Sequence, residues 1–393
     1  MKKLTVGQFT DSLFPIIDGV GYVAQNYSYW INEKYGTAYV IGPEAPKYVE
    51  TDPQIIRFPT IPIPGFAPYR CGVPQLGEFR RRLDAIDFDI VHVQSPFISA
   101  SEAKRVAKRT GVPIVATFQS KYRDDFSRMF NSKMIVNGAI KNIVRFYNKV
   151  DEVWSPNEGT AATLHEYGYE KDVKIIPNGT DMRPLTDTER TERRAVIRRK
   201  HHLKDDDFVL MYVGQHRFEK NLKLVIDSLH SLGQKGCDVR AIFIGTGPDE
   251  QELKELVQSY NLDRKVIFAG VVKDRNLLQS YFSCADSLVF PSLYDMSSLT
   301  MKEAASCSVP TIVVEGSTTS DGIIDEKNGF LIQNNIESLV SKVMYMHQNR
   351  QMVKSAGQGA LQSVYLSWDA IVDDVYKGYI DLIERKTGKT CSK

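Results

Sequence analysis

The sequence predicts an α/β protein built from two doubly wound parallel-sheet domains. Its 393 residues exceed the usual size of a single core and suit two domains of about 180–200 residues each. Short β-rich runs alternate with longer helical stretches from end to end, which is typical of parallel sheets covered by helices. The alternation restarts after a highly charged stretch at 186–207, and this restart indicates a second domain.

The first half contains strand-like runs that are almost continuously apolar, as expected for strands buried on both faces of a sheet. We place these strands at 4–9, 38–42, 55–59, 89–94, 113–119, 152–156 and 173–179. They define a first Rossmann-like domain over residues 1–185.

The second half repeats the pattern and defines a domain over residues 186–366. The charged stretch that opens it is expected to form a linker and a surface helix. We place the strands of this domain at 208–214, 239–245, 265–270, 286–291 and 310–316. The closing segment 367–386 has apolar residues at helical spacing, so we expect a long helix there, with 367–393 packing back onto the first domain and a cleft between the domains.

Composition and charge exclude several classes of protein. Apolar residues make up 42% and charged residues 25% of the chain, ordinary values for a water-soluble enzyme. The net charge of +2 is too small to indicate a nucleic-acid partner. The chain has no run of the roughly 18 or more apolar residues that a membrane-spanning helix needs.

The cysteines and histidines do not indicate a metal site. The five cysteines are scattered and include no CxxC pair, which favours reduced thiols in a cytoplasm over a disulfide framework. The seven histidines lack metal-ligand spacing. The acidic runs Asp87–Asp89 and Asp205–Asp207 precede strands, whereas a metal-binding DxD would follow one. We therefore expect no metal.

Basic residues are concentrated in one part of the first domain. From Lys104 to Lys149, eleven basic and two acidic residues give a local charge of +9. The segment 129–150 within this window can separate apolar residues and cations onto two helix faces, as in helices that lie on anionic lipid. A helix packed on the sheet with a solvated basic face accounts for the same pattern.

Two glycine-containing strand ends are candidate ligand loops, because ligands of open parallel sheets bind at the carboxyl ends of strands. DGVG (18–21) follows the first strand, and FIGTGP (243–248) ends a strand of the second domain. Such glycines allow a backbone to approach a ligand closely. Ordinary tight turns have the same sequences, so neither loop is decisive alone.

The segment GQHRFEKN (214–221) follows the first strand of the second domain. It brings Arg217 and Lys220 to the start of a helix, where cations and backbone N–H groups can bind one diphosphate. A solvated Glu–Lys pair is the alternative interpretation.

The most informative strand end is PSLYDMSSLTMKEA (291–304). Asp295 lies in a loop, a helix is expected to begin near Ser298, and Glu303 lies about one and a half turns into it. The two carboxylates can accept hydrogen bonds from a sugar and a ribose, while the amides of Ser298 and Leu299 face a diphosphate. A capping Asp and an exposed helical Glu would give the same spacing.

Together and in this order, these segments resemble retaining glycosyltransferase family 4, also called the glycosyl transferases group 1 superfamily. The resemblance covers nearly the whole chain. Besides the segments above, it rests on DIVHVQSP (89–96), TFQS (117–120), SPNEGTAATLHEYG (155–168) and IPNGTD (176–181). The segment TFQSKYRDDF (117–126) is similar to the branch that includes diacylglycerol glucosyltransferases.

The resemblance implies a GT-B fold and a hexosyltransferase of the EC 2.4.1 class. Such an enzyme moves a hexose from a nucleotide diphosphate sugar, here expected to be a UDP-sugar, to a glycan or lipid acceptor with retention of configuration. No cofactor is implied beyond this donor substrate, and the first domain is expected to be on the acceptor side. The implied location is the cytoplasm, with peripheral association at the inner face of the membrane as a further hypothesis.

The resemblance also implies roles for individual residues. Lys220 and Arg217 hold the diphosphate, Asp295 and Gln119 contact the transferred sugar, and Glu303 binds the ribose. Stabilising the charge that grows on the diphosphate is worth about 3–4 kcal/mol per donor. The other residues expected at the nucleotide-sugar site are Gly19, Val20, Gly214, Gln215, Gly245, Val272, Ser298, Leu299 and Thr300.

The chain departs from the family pattern at several of these positions. Gln119 stands where the family has His, Gln215 where it usually has Arg, and Asp295 where it has Glu. Ser298 and Ser308 replace frequent glycines. A Gln can donate a hydrogen bond to a sugar hydroxyl but cannot carry a positive charge.

These departures motivate an alternative function. The chain would then be a catalytically weak relative that binds a nucleotide sugar or scaffolds an active partner. A dehydrogenase is disfavoured because Gly19-Val20-Gly21 lacks the third glycine of GxGxxG. A sugar-nucleotide epimerase is supported only by analogy of fold.

Overall fold

The computed structural model describes residues 3–16, 18–63, 70–74 and 77–388. It divides into unit 1, Met1–Asn178 with Trp368–Lys393, and unit 2, Gly179–Ser367. Unit 2 begins earlier than residue 186 because the segment before it already makes unit 2 contacts. Thr180 N donates to Leu366 O at 2.8 Å, and Met182 packs into the core of unit 2.

Unit 1 is built on a parallel sheet. Its strands are β1 Thr5–Phe9, β2 Thr37–Pro43, β3 Ile55–Phe58, β4 Thr60–Pro62, β5 Arg70–Gly72, β6 Ile90–Val93, β7 Ile114–Thr117, β8 Glu152–Ser155 and β9 Lys174–Ile175. Within the described ranges the sheet has seven strands in the order β3-β2-β1-β6-β7-β8-β9, and all seven were predicted. The antiparallel pair β4–β5 was not predicted, because three-residue strands carry no readable alternation.

The helices of unit 1 follow its strands. They are α1 Gly19–Lys34, α2 Gly77–Asp84, α3 Ile98–Thr110, α4 Tyr122–Met129, α5 Lys133–Tyr147 and α6 Glu158–Glu166. The Asp18 carboxylate caps α1 by accepting from Gly21 N at 2.8 Å. The chain leaves α3 through Gly111 at φ 75°, the left-handed conformation that glycine adopts most easily.

Unit 2 is a second parallel sheet. Its strands are β10 Phe208–Val213, β11 Val239–Ile244, β12 Val266–Gly270, β13 Ser287–Phe290, β14 Thr311–Val314 and β15 Phe330–Ile332. They run in the order β12-β11-β10-β13-β14-β15, and only the three-residue β15 was not predicted. The strand order reverses between β10 and β13, and ligands of doubly wound sheets bind outside the carboxyl ends at such a switch point.

The helices of unit 2 include the charged stretch predicted as a linker with a surface helix. They are α7 Asp187–Lys200, α8 Leu222–Gln234, α9 Glu250–Ser259, α10 Arg275–Cys284, α11 Leu299–Ser306, α12 Ile336–Gln348 and α13 Arg350–Ser363, with short 3₁₀ turns at Phe218–Lys220 and Thr318–Ser320. A capping box between Thr186 and Glu189 starts α7. Ile197 of α7 is fully buried in the unit 2 core, which anchors an otherwise charged helix.

The last helix, α14 Trp368–Thr387, returns to unit 1. Trp368 packs edge-on against Tyr27 of α1, with 5.6 Å between ring centroids. Tyr379 stacks on Trp154 of β8 at 5.3 Å, and the Tyr376 hydroxyl accepts from Leu4 N at 2.9 Å. In the described part of the chain, no helix has both the length and the apolar character needed to cross a membrane.

Candidate functional site

The carboxyl ends of β10 and β13 carry a close ion pair. Lys220 follows β10 and Asp295 follows β13, and Lys220 Nζ lies 2.5 Å from Asp295 Oδ1. Lys220 Nζ also lies 4.9 Å from the ring centroid of Tyr294. The other carboxylate oxygen, Asp295 Oδ2, is buried and has no hydrogen-bond partner among the described residues. A carboxylate oxygen that is buried without a partner costs free energy.

The loop that carries Asp295 is held by its neighbours. The Ser292 hydroxyl accepts from the backbone N–H groups of Tyr294 and Asp295, each at 3.2 Å. From the turn after β14, the Thr318 hydroxyl donates to Asp295 O at 2.5 Å. These bonds restrict the backbone and keep the carboxylate in one position.

Helix α11 begins immediately after this loop, with Ser298 as its N-cap residue. The Ser298 side chain does not cap the helix, because its hydroxyl pairs with that of Thr300 at 2.6 Å. The N–H groups of the first turn, at Leu299 and Thr300, therefore donate no hydrogen bond to the N-cap side chain. They remain able to bind an anion.

Glu303 is almost fully buried in α11, at 4% exposure. Arg275 of α10 donates to Glu303 Oε1 at 2.6 Å and to Asp181 Oδ2 at 3.0 Å. Burial raises the pKa of Glu303, and the charge and hydrogen bond of Arg275 oppose that rise. One carboxylate oxygen of Glu303, the residue expected to bind the ribose, therefore already accepts a hydrogen bond from Arg275. Arg275 gave no signal in the sequence, whereas Asp181 closes the IPNGTD segment.

Gln215 holds Arg217 rather than standing free. Arg217 Nε donates to Gln215 Oε1 at 3.0 Å, and the Tyr212 hydroxyl donates to Gln215 O at 2.9 Å. The residue that replaces the family's usual Arg therefore orients another Arg two positions later. This geometry fits a diphosphate-binding role for Arg217.

The glycines after β10 and β11 are required by the packing of the chain itself. Gly245 has φ 127°, and a Cβ atom there would lie 2.0 Å from Gly214 O. The Gly-x-Gly turn is thus explained without a ligand. Val272, in the loop after β12, is half-buried against the unit 2 core.

In unit 1, the two glycines of DGVG differ. A Cβ atom on Gly21 would lie 2.6 Å from Ser12 O, whereas one on Gly19 would meet no atom within 4 Å. Packing therefore requires Gly21 but not Gly19. Gly19 is exposed and Val20 half-buried at the start of α1, the positions expected to face a ligand.

Gln119 is half-buried and lies two residues after β7. Its amide Nε2 faces Gln94, at 3.0 Å from Gln94 Oε1 and 3.4 Å from Gln94 O. In the structure the amide nitrogen of Gln119 therefore pairs with Gln94, and a contact of Gln119 with a sugar hydroxyl stays a prediction. The signal that could have shown this is the presence of Gln8 and Gln94 at the ends of two apolar strand-like runs.

The two acidic runs that precede strands, Asp87–Asp89 and Asp205–Asp207, form hydrogen bonds within the fold. Asp89 Oδ2 accepts from Thr5 N at 2.8 Å, and Asp207 Oδ2 accepts from Lys204 N at 2.8 Å. Across the described ranges, no cluster of three or more His, Cys, Asp or Glu side chains is arranged to hold a metal ion.

Two family models match successive parts of the chain. Glycosyltransferase Family 4 matches residues 17–183, and Glycosyl transferases group 1 matches residues 193–363. The chain therefore belongs to glycosyltransferase family 4, also called the glycosyl transferases group 1 superfamily. It is accordingly a hexosyltransferase, and its two Rossmann-like units make up a GT-B fold.

Several bacterial proteins are similar to this chain in sequence or in structure. The glycosyltransferase is 25% identical to alpha-monoglucosyldiacylglycerol synthase of Acholeplasma laidlawii over 407 residues, covering 99% of this chain and 100% of that protein. It is 25% identical to alpha-monoglucosyldiacylglycerol synthase of Streptococcus pneumoniae over 328 residues, covering 82% and 74% of the two chains. Among solved structures, HepE of Anabaena in complex with UDP and glucose has a TM-score of 0.75 at 14% identity, covering 96% and 99%.

Proposed function

We propose that this glycosyltransferase transfers a hexose from a UDP-sugar to a lipid acceptor at a membrane surface, with retention of configuration and without a metal ion. The observation that carries the proposal is the Lys220–Asp295 pair beside the first turn of α11, with one buried Asp295 oxygen lacking a partner. A cation, a set of free amides and a hydroxyl acceptor in one place match the parts of a sugar diphosphate.

In this proposal each group acts on a different part of the donor. Lys220, Arg217 and the amides of Leu299 and Thr300 stabilise the charge that grows on the diphosphate. Asp295 Oδ2 accepts from a hexose hydroxyl. Glu303 accepts from the ribose through the oxygen that Arg275 leaves open.

The transfer step needs no further proton carrier. The acceptor oxygen bonds to the anomeric carbon on the face from which the diphosphate oxygen leaves, so configuration is retained. The acceptor proton passes to that leaving oxygen. The protein supplies preorganised charge, which supports a mechanism without a metal ion.

Three of the similar proteins support a donor with UDP or glucose. HepE was solved with UDP and glucose, and two relatives are named monoglucosyldiacylglycerol synthases. The names of these relatives also favour a diacylglycerol-type acceptor over a glycan.

A basic surface on α4 and α5 of unit 1 supports the lipid acceptor. One face of α5 packs into unit 1 through Val136, Ile140 and Ile143, which are buried. The helix nevertheless exposes Met134 by 81% and Ile135 by 50%, beside the cations of the +9 window.

Between α4 and α5 lies an open cavity of about 550 Å³, lined by Arg123, Ser127, Phe130, Asn131, Lys133, Val136 and Asn137. Cations, amides and exposed apolar side chains together match the headgroup region of an anionic membrane. Association with such a membrane, at its cytoplasmic face, is part of the proposal.

The donor part of the proposal is tested by measuring release of the nucleoside diphosphate, UDP or GDP according to the donor. The purified protein is incubated with UDP-glucose, UDP-galactose, UDP-N-acetylglucosamine and GDP-mannose, with and without dioleoylglycerol in phosphatidylglycerol vesicles. We expect UDP release that depends on dioleoylglycerol and persists in EDTA, with an α-linked product by NMR. Complete and reversible loss in EDTA would contradict the metal-free mechanism. If the protein binds UDP but releases no nucleoside diphosphate from any of the donors, the alternative function is favoured. The chain would then be the catalytically weak relative that Gln215 and Asp295 suggest.

The membrane half is tested by co-sedimentation with vesicles. The double variant Met134→Ser/Ile135→Ser should bind phosphatidylglycerol vesicles several-fold more weakly at low salt, because the exposed apolar area that enters the interface is removed. Val196→Ser is the matched control, since Val196 is 49% exposed on α7 of unit 2. If the unaltered protein does not bind the vesicles, the hypothesis of a lipid acceptor is excluded. A soluble or polymeric acceptor is then favoured.

A further inference from the structure

The ammonium group of Lys220 lies against an aromatic ring as well as against a carboxylate. Lys220 Nζ is 2.5 Å from Asp295 Oδ1, and it lies over the ring of Tyr294 at 4.9 Å from the ring centroid. Only 12% of the Lys220 side chain is exposed, so the cation meets the ring largely away from water. At this distance the negative potential of the ring face attracts a cation.

The carboxylate and the ring hold the same cation in different ways. Asp295 brings a negative charge that offsets the charge of the ammonium, so an anion that binds Lys220 has to compete with it. An aromatic ring has no net charge, and Tyr294 therefore holds the ammonium while leaving its positive charge available. A lysine side chain has many rotamers, and ordering it before a ligand arrives lowers the entropy cost of binding.

The backbone on both sides of this contact is fixed by side-chain hydrogen bonds. Tyr294 N donates to the Ser292 hydroxyl at 3.2 Å. Lys220 ends a 3₁₀ turn, and the next residue, Asn221, donates through Nδ2 to Pro291 O at 3.2 Å. The turn that carries the cation is thus tied to the strand end that carries the ring.

Asn221 combines this tie with an unusual backbone conformation. Its φ of 61° lies in the left-handed region, where Asn is found more often than most residues. Its side chain also donates to Asn334 Oδ1 at 2.8 Å, in the segment that follows β15. Glycine adopts the same φ at no steric cost, so Asn221→Gly removes the side-chain tie without straining the turn.

We infer that Tyr294 is a positioning residue, whose ring face holds the Lys220 ammonium ready for the diphosphate, and that Asn221 keeps the cation and the ring in register. The inference rests on the proposed function, which assigns the diphosphate to Lys220. The ring acts through the lysine and needs no contact of its own with the donor. Its effect should therefore depend on the electron density of the ring and should disappear when the lysine is absent.

The contact is tested first in the ligand-free protein, by NMR of ¹³C-labelled lysine. Protons above a ring face are shielded, so the ε-methylene protons of Lys220 should resonate upfield of those of Lys223, which is 57% exposed. The signal is assigned by its absence in Lys220→Arg. Tyr294→Phe should keep the upfield shift and Tyr294→Leu should remove it. An unshifted Lys220 signal in the unaltered protein would overturn the inference.

The electron density of the ring is varied next, while its shape is nearly kept. Tyr294 is replaced by phenylalanine and by its 4-fluoro, 3,5-difluoro and 3,4,5-trifluoro derivatives, and UDP affinity is measured by calorimetry. Affinity should fall stepwise, by about threefold to tenfold over the series, because less of the lysine is held in the binding-competent position. The same series at Tyr345, which is 42% exposed on α12, should leave affinity unchanged. An affinity at position 294 that does not follow the number of fluorines contradicts a role for the ring face.

Lys220→Met shows whether the ring acts through the lysine. In this background the fluorinated series at Tyr294 should no longer change UDP affinity, because the two substitutions act on one interaction. A ring that only supports the fold would give the same stepwise loss with and without the lysine, and that result would refute the positioning role.

Asn221→Gly tests the register of the turn. It should weaken UDP binding by about twofold to fivefold, the effect of one lost hydrogen bond, and reduce the upfield shift of Lys220. Asn261→Gly is the matched control, because Asn261 also has a left-handed φ, of 56°, and should change neither quantity. If Asn221→Gly also changes neither, Asn221 does not set the register. If the unaltered protein binds neither UDP nor GDP, the proposed function fails, whereas the lysine signal still shows whether the ring holds the ammonium.

Discussion

The two units carry different chemistry at the same edge of their sheets. At the strand ends of unit 1 lie the neutral amides of Gln8, Gln94 and Gln119. At those of unit 2 lie the ion pairs Lys220–Asp295 and Arg275–Glu303. A neutral amide can be buried when each of its atoms finds a partner, but a buried charge needs an opposite charge. In the proposed function, the charged groups of unit 2 hold the diphosphate.

The largest effect should come from removing the cation of unit 2. Lys220→Ala takes away one charge from the growing diphosphate anion and leaves Asp295 unpaired, so kcat should fall by about 10²–10³-fold. Steady-state kinetics of UDP release measures this. Lys223→Ala removes a neighbouring lysine that pairs with Asp227 on the surface of α8 and should have no comparable effect. A normal kcat in Lys220→Ala would mean that unit 2 does not carry the charge chemistry.

The next effect concerns the buried carboxylate of unit 2. Glu303→Ala removes the proposed ribose acceptor and one carboxylate partner of Arg275, so UDP binding should weaken by about 1.5–3 kcal/mol. Calorimetry gives the affinity, and circular dichroism confirms that the variant is folded. Glu303→Gln, which keeps an oxygen for Arg275, should lose less. Unchanged UDP affinity in folded Glu303→Ala would exclude the ribose assignment.

The last effect belongs to unit 1 and concerns stability rather than catalysis. Burial lowers the pKa of His92 from 6.5 to about 3, so the unfolded chain binds a proton that the folded chain excludes. Stability should therefore fall as the pH drops below about 6.5, by up to about 1.4 kcal/mol per pH unit from this residue.

Urea unfolding at pH 7 and pH 5 measures this dependence by comparing the unaltered protein with His92→Gln. The comparison is necessary because burial raises the pKa of Asp11 to about 6, and a raised carboxyl pKa acts in the opposite direction over this range. The variant should lose about 2 kcal/mol less between the two pH values. An equal loss in both proteins would show that His92 is not held neutral by burial.

Strands that bury several apolar residues could be predicted, and very short ones could not. All seven strands of the unit 1 sheet were predicted, but β9 covers only Lys174–Ile175 instead of 173–179. Pro177 has no N–H to donate and ends the ladder early. The three-residue β4, β5 and β15 lack the length at which a period becomes visible.

The family, the two parallel sheets and the segments that carry Lys220, Asp295 and Glu303 could all be predicted from the sequence. Those features depend on local periodicity and on residues near one another in the chain, which a sequence displays directly. The pairing of Arg275 with Glu303 and of Gln119 with Gln94 became visible only in the folded structure. Gln8 and Tyr379 are 371 positions apart, and no local pattern shows which distant group a buried amide will meet or which of its two atoms remains free.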